Sequence, residues 1–208
     1  MTTGWSSARK KTKVRDRNGD PGPAPTKNAL HEAALAYLAR GSATAVTLGR
    51  VLERKIGNWA RRAGRAARDP EQVASELATC REHIAAIIAR FQEVGLVNDA
   101  SFAESRVRSL TRAGRSRRAI SAHLTAKGVD AETARQALPT DASIELDAAI
   151  AFARKKRIGP FAREEVDRAG KQKALAAMAR AGFGWSTCER ALGMDLEQAE
   201  ERIHRLRG

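Results

Sequence analysis

The sequence predicts an all-α protein made of three tandem three-helix repeats, an elongated, curved molecule preceded by a disordered basic arm. Three observations predict it. Apolar residues recur at spacings of three and four, and no stretch alternates with a period of two. Ala makes up about a fifth of the chain and Arg and Leu are abundant, a composition that favours helix. A Gly stop followed by an apolar residue and a new cap recurs along the chain, marking repeated short units.

Met1 to Pro25 holds Gly, Pro, Ser, Lys and Arg with almost no large apolar residue, as a disordered arm does. The first helix carries Leu30, Ala34, Tyr37 and Leu38 on one stripe and ends near Arg40-Gly41. A second runs from about Thr44 with Leu48, Leu52, Ile56 and Trp59 inward; it reaches Ala63, and the Gly64 and Ala/Arg run beyond reads as a loop. Asp69-Pro70-Glu71 then supplies an N-cap, a proline at N1 and an acid in the first turn. Val73, Leu77, Cys80, Ile84, Ile87, Ile88 and Phe91 follow, so the third helix is long and packs along its length. Gly95 stops it with Leu96 folding back, and Asp99 caps the fourth helix.

In the fourth helix Ala103, Val107, Leu110 and Ala113 face inward. Gly114 ends it, Ser116 caps the fifth around Ile120 and Leu124, and Gly128-Val129 repeats the Gly-apolar stop. Asp130 caps a short sixth helix with Ala134, Ala137 and Leu138, closed by Pro139. Asp141 or Ser143 opens the seventh, with Ile144, Ala148, Ala151 and Phe152 inward until Gly159-Pro160 breaks it. Further on, Ser186-Thr187-Cys188-Glu189 has the form of a capping box, and Trp185, like Trp59, reads as a core or helix-junction residue.

Leu124 to Leu138 aligned with Met178 to Leu192 matches Gly128 with Gly182, Thr133 with Thr187, Ala137 with Ala191 and Leu138 with Leu192. The same order of three helices fits Thr26 to Val97. The units are therefore residues 26–97, 98–140 and 141–208, the last with a C-terminal helical extension, after the arm at 1–25. Each unit buries its faces partly against the next.

The longest apolar run, Ile84 to Ala89, falls far short of the roughly 20 residues a membrane span needs. Basic residues from Arg9 to Arg17 lack a following apolar stretch, so no secretory signal is read and a cytoplasmic location is expected. Cys80 and Cys188, far apart at core spacings, suit reduced structural thiols. His31, His83, His123 and His204 show no metal-ligand spacing, and no phosphate loop or catalytic constellation is present, so neither an enzyme nor a cofactor is expected.

The 38 Lys and Arg against 24 Asp and Glu give a net charge of +14, spread along the chain as +4, +4, +4 and +2 over the arm and the three units. That balance points to a polyanionic partner, a solvated helical surface being the plain alternative. The densest cluster is Arg106, Arg108, Arg112, Arg115, Arg117 and Arg118, with Glu104 the only acid close in sequence. Arg117 and Arg118 stand at a helix N-terminus, where cations oppose the macrodipole at a cost of about 0.3 to 1 kcal/mol that an anionic partner offsets. Arg154, Lys155, Lys156 and Arg157 form a second cluster at a helix C-terminus, where cations are favourable without any partner.

At Gly95-Leu96-Val97-Asn98-Asp99-Ala100-Ser101-Phe102-Ala103-Glu104 the sequence resembles the RecX family of bacterial recombinase regulators. The likeness continues through Val107-Arg108, Gly114, Arg118-Ala119-Ile120, Leu124 and Lys127-Gly128-Val129, and reaches outward to Ala34–Ala39, Thr44, Leu48 and Lys55 and to Ala151–Lys156 and Ala181-Gly182-Phe183. Against that pattern Gly57 to Arg68 stands as an insertion. The resemblance implies three consecutive three-helix bundles and a regulator that binds the RecA filament on single-stranded DNA. It also implies that filament growth, ATP hydrolysis and strand exchange are opposed, in DNA repair and the SOS response. Some members bind DNA, so single- or double-stranded DNA is a second expected partner; a monomer is the default.

Two other classes compete. A helix-turn-helix regulator acting directly on DNA uses the same three-helix units, with Arg117-Arg118 at the start of the reading helix, although Ser121, Ala122 and Ala126 offer that helix little to read bases with. A nonspecific single-strand binder lacks an aromatic ladder among the cations.

Overall fold

The structure, a computed structural model, describes residues 21–207. Among these residues the chain is all-helical: α1 (Lys27–Leu38), α2 (Ala45–Arg65), α3 (Pro70–Glu93), α4 (Asp99–Arg112), α5 (Arg117–Ala126), α6 (Ala131–Ala137), α7 (Ala142–Lys156), a one-turn 3-10 helix (Gly159–Phe161), α8 (Arg168–Arg180), α9 (Trp185–Leu192) and α10 (Leu196–Arg207). Side chains of Thr26, Thr44, Asp69, Asn98, Ser116, Asp130, Asp141 and Asp167 each accept a first-turn N–H, satisfying donors that the helix itself leaves open. Asn98 rather than Asp99 caps α4, which frees the Asp99 carboxylate for a contact between units described below.

Three separate apolar cores follow in chain order. The first joins Leu30, Leu48, Leu52, Ile56, Ile84 and Phe91 of α1 to α3. The second joins Phe102, Val107, Ile120, Leu124 and Leu138 of α4 to α6. The third joins Leu146, Ile150, Met178, Cys188, Ala199 and Ile203 of α7 to α10. These are the three-helix repeats, with α10 completing the last.

Several expectations shift by a residue or an element. The arm's first twenty residues lie outside the described chain, but residues 21–25 pack against the first unit: the Gly22 carbonyl accepts from Trp59 Nε1 at 3.0 Å and from Arg68 at 3.2 Å, and Ala24 joins the core. Helix α2 also runs two residues further than expected, into the run read as a loop. Buried Trp59 and Ala63 continue the stripe, and the helix runs through Gly64 to Arg65 before Ala67 turns left-handed.

At the α3 end Leu96 is 49% exposed, and Val97 folds back instead, its N–H reaching the Phe91 carbonyl. In α4 the inward residue of the last turn is Thr111, Ala113 being exposed. The buried face of α7 is Leu146, Ala149, Ile150 and Ala153 together with Ala148, whereas Ile144, Ala151 and Phe152 lie half-buried. Gly184 caps α9 without a side chain, so Ser186 to Glu189 lie inside the helix and form no capping box. Trp185, its first residue, is 64% exposed because Phe183 takes the core position, edge-on to Phe152. Cys80 and Cys188 are free and buried.

The units meet through one joint used twice. Thr44, the N-cap of α2, donates its hydroxyl to the Lys127 carbonyl at the end of α5; Ser116, the N-cap of α5, donates to the Ala181 carbonyl at the end of α8, both at 2.6 Å. The next N–H along each helix meets an acid of the following unit: Ala45 to Asp99 at 2.9 Å, Arg117 to Glu145 at 2.9 Å. Gly128 and Gly182 complete each joint at φ +81 and +93, where a Cβ would lie 2.4 Å from Val46 and 2.7 Å from Ser116 Oγ. The positive end of each second helix thus faces the negative end of the next, which favours both dipoles.

Candidate functional site

All ten cations singled out in the sequence are exposed, and the fold sorts them onto different surfaces. Arg112 ends α4, and α7 lies across it, so the last turn of α7 brings Arg154, Lys155 and Arg157 to the same hollow of about 460 Å3. Ile203 and Leu206 of α10 line its apolar part. Neither helix alone makes this site. It exists because the second and third units pack α4 against α7.

On the other side of Leu206, Arg108 and Arg112 face Asp147 and Arg205 across a second hollow of about 450 Å3. Arg108 also approaches Glu104 at 3.9 Å, an exposed contact worth little. Arg106 lies over the Phe102 ring at 5.3 Å. Arg106, Arg115 and Lys127 surround His123, whose imidazole is held below the ordinary histidine range by burial and then by those three charges. Among the described residues, the Nε2 of His123 is buried without a hydrogen-bond partner.

Arg117 and Arg118 occupy a different groove, of about 670 Å3, with Arg135, Asp141 and Glu145. Here the electrostatics differ from the sequence expectation. The α5 N-terminus is capped by Ser116 and met by Glu145, an acid distant in sequence, so the macrodipole cost of the two arginines is offset within the molecule. Burial pushes the Glu145 carboxyl above its ordinary range, while the Arg117 N–H and charge pull it partly back. Nothing in the linear pattern points to Glu145, Ile203, Leu206 or Arg205 at these sites, because each arrives from another unit or from the C-terminal helix. No helix among the described residues is long and apolar enough to cross a membrane.

Known proteins share the fold and much of the sequence. A family model described as the second three-helix domain of RecX fits residues 98–138, the unit that contributes Arg106 to Arg118. The regulatory protein RecX of Myxococcus xanthus is 36% identical over 167 residues, covering 78% of this chain and 83% of that protein. The regulatory protein RecX of Agrobacterium fabrum is 40% identical over 105 residues, 50% of this chain and 56% of that one. The crystal structure of RecX from Lactobacillus salivarius superposes with a TM-score of 0.55 at 18% identity, covering 86% of this chain and 97% of that chain, and so shares the fold. With the central unit matched by its own model and the likeness to the M. xanthus protein running through most of both chains, this protein belongs to the RecX family of regulatory proteins.

Proposed function

We propose that this protein binds the RecA filament on single-stranded DNA in the cytoplasm and opposes filament growth, ATP hydrolysis and recombinase activity in DNA repair and the SOS response. In this reading it acts as a binding protein with no catalysis or cofactor of its own. The observation that carries the reading is the row of three units joined end to end, with exposed cations of the second and third meeting at their junction. A filament presents the same surface many times, and weak contacts distributed over several units add up to strong binding when presented together. The basic residues Arg106, Arg108, Arg112, Arg115, Arg117, Arg118 and the Arg154–Arg157 run supply those contacts.

The direct DNA-reading alternative needs the N-terminus of α5 in a major groove. Ser116 and Arg117 instead hold that end against Ala181 and Glu145. The deciding experiment titrates the protein into RecA on single-stranded DNA while ATP hydrolysis is followed at fixed salt. Loss of hydrolysis at substoichiometric amounts is expected; hydrolysis unaffected at equal stoichiometry, with no association of the protein with the filament, overturns the reading.

A further inference from the structure

The third unit carries two features that the repeat itself does not require. In the alignment of Leu124–Leu138 with Met178–Leu192, Ala131 of the second unit stands where the third has Trp185, the first residue of α9. Both positions are exposed, so the fold asks for no aromatic there. The Trp185 side chain is nonetheless left 64% exposed, a costly place for so large an apolar body unless a partner covers it.

The second feature lies in the connection from the first to the second helix of the unit. Four residues join α4 to α5, whereas eleven join α7 to α8, the 3-10 turn and residues 162–166 among them. This longer connection walls a hollow of about 710 Å3 against α8 and α9. Its apolar lining is Ile158, Ala162, Val166, Ala174, Leu175 and Leu192. A hollow of this size and lining has room for an aromatic anchor, the side chain that most often dominates a protein contact.

Knob and hollow belong to opposite ends of α9: Trp185 opens the helix, and Leu192 and Gly193 at its close line the hollow. A contact between two such different surfaces joins copies head to tail. The charges beside them correspond. Gly184 and Thr187, on either side of Trp185, line a groove with Arg117 and Arg118, where Glu145 is already engaged by the Arg117 N–H. Glu164, Glu165 and Glu189 edge the hollow, and among the described residues none of the three forms an ion pair, although Arg157, Arg163 and Lys171 stand on the same rim.

We infer that Trp185 of one copy seats in the α7–α8 hollow of a second copy, so that copies of this chain join head to tail. One anchored side chain buries far less than the roughly 1,200 Å2 of a stable interface, so association in dilute solution is weak. On a filament, where neighbouring copies are held in line, the same contact becomes effectively intramolecular and makes loading cooperative.

Sedimentation equilibrium of the whole protein at physiological salt, from micromolar to millimolar and without RecA or DNA, tests the contact. The average mass of the parent protein is expected to rise past that of a dimer. Trp185→Ala, which loses the knob, and Ala162→Arg, which fills the hollow from its wall, are each expected to stay monomeric at the parent's melting temperature. Should Ala162→Arg melt lower, Lys171→Trp at an exposed position of the same wall fills the hollow in its place. Mixed in equal amounts, the knob and hollow variants are expected to form a dimer and nothing larger, since one intact hollow then meets one intact tryptophan. A parent protein that stays monomeric throughout, a Trp185→Ala variant that associates as the parent does, or a mixture that stays monomeric overturns the inference. Because RecA is absent, such a failure leaves the filament reading standing.

Discussion

The Ser116 hydroxyl reaches the Ala181 carbonyl at 2.6 Å across the junction of the second and third units, as Thr44 reaches the Lys127 carbonyl one junction earlier. Each hydroxyl also accepts a first-turn N–H of its own helix, so one buried atom both starts a helix and fastens it to the next unit. Cap and joint are therefore coupled, and a change at either position is felt in two units.

Ser116 is 0% exposed, and Ser116→Ala removes the cap of α5 and leaves the carbonyl of half-buried Ala181 without its donor. The expected loss is about 2 to 3 kcal/mol, a cap and a buried hydrogen bond together. Urea unfolding measures it. Thr restores both functions with one added methyl group and is expected to recover most of the loss; an Ala variant within about 0.5 kcal/mol of the parent, the range of ordinary surface changes, contradicts the joint.

Three glycines with nearly the same φ separate backbone strain from crowding. At Gly95, φ +72, a Cβ would have no neighbour within 4 Å, whereas at Gly128, φ +81, it would meet Val46 at 2.4 Å and at Gly182, φ +93, Ser116 Oγ at 2.7 Å. Gly95→Ala is expected to cost about 1 to 2 kcal/mol, the left-handed penalty alone. Gly128→Ala and Gly182→Ala add an overpacking cost of about 1 to 3 kcal/mol. Denaturant midpoints that place Gly95→Ala level with the other two would show that the joints yield to a methyl group.

These joints mark the limit of what is legible in the sequence. Helix starts at Thr44, Asp69, Ser116, Asp130 and Asp141 follow from local chemistry, and the pairing of Gly128 with Gly182 is visible as a repeat. Phase is harder. Leu96 and Val97 are equally apolar, and only the turn after Gly95 decides that Val97 enters the core; Thr111 outranks Ala113 because of what α4 meets, not because of its polarity. Trp185 yields the core to Phe183 for the same reason. The hollow above Ile203 and Leu206 is not legible at all, since its cations lie some forty residues apart in sequence and its floor comes from α10.

Glu145 makes stability depend on pH in an unusual direction for a carboxylate. Its pKa is raised above the ordinary 4.5, chiefly by burial, so the folded state favours the protonated acid more than the unfolded chain does. The resulting stability is fully present below pH 4.5 and is lost as pH rises through the higher folded value. Gln keeps an oxygen to accept the Arg117 N–H and carries no charge. Glu145→Gln is expected to melt at a higher temperature than the parent at pH 7 and to lose that advantage toward pH 4; thermal melts across this range check the sign, and a lower melting temperature at pH 7 refutes it.

The C-terminal helix supplies the floor of the hollow, and Arg202 fastens it: its guanidinium meets the Asp147 carboxylate of α7 at 2.6 Å, with side chains 22% and 18% exposed. Both groups retain some water, so breaking the pair costs less than at a dry site. Asp147→Ala is expected to destabilise by about 1 to 3 kcal/mol, mostly by leaving Arg202 half-buried without its partner. The double change Asp147→Leu with Arg202→Met removes both charges and should recover much of the loss, because an apolar pair of similar bulk replaces the ions. Hydrogen exchange places the effect: in Asp147→Ala the amides of α10 should exchange faster while those of α1 to α3, which share no core with it, keep the parent rate. Faster exchange in α1 to α3 to the same degree would mean that the three units open together, and that α10 is held by the whole row of joints more than by Arg202.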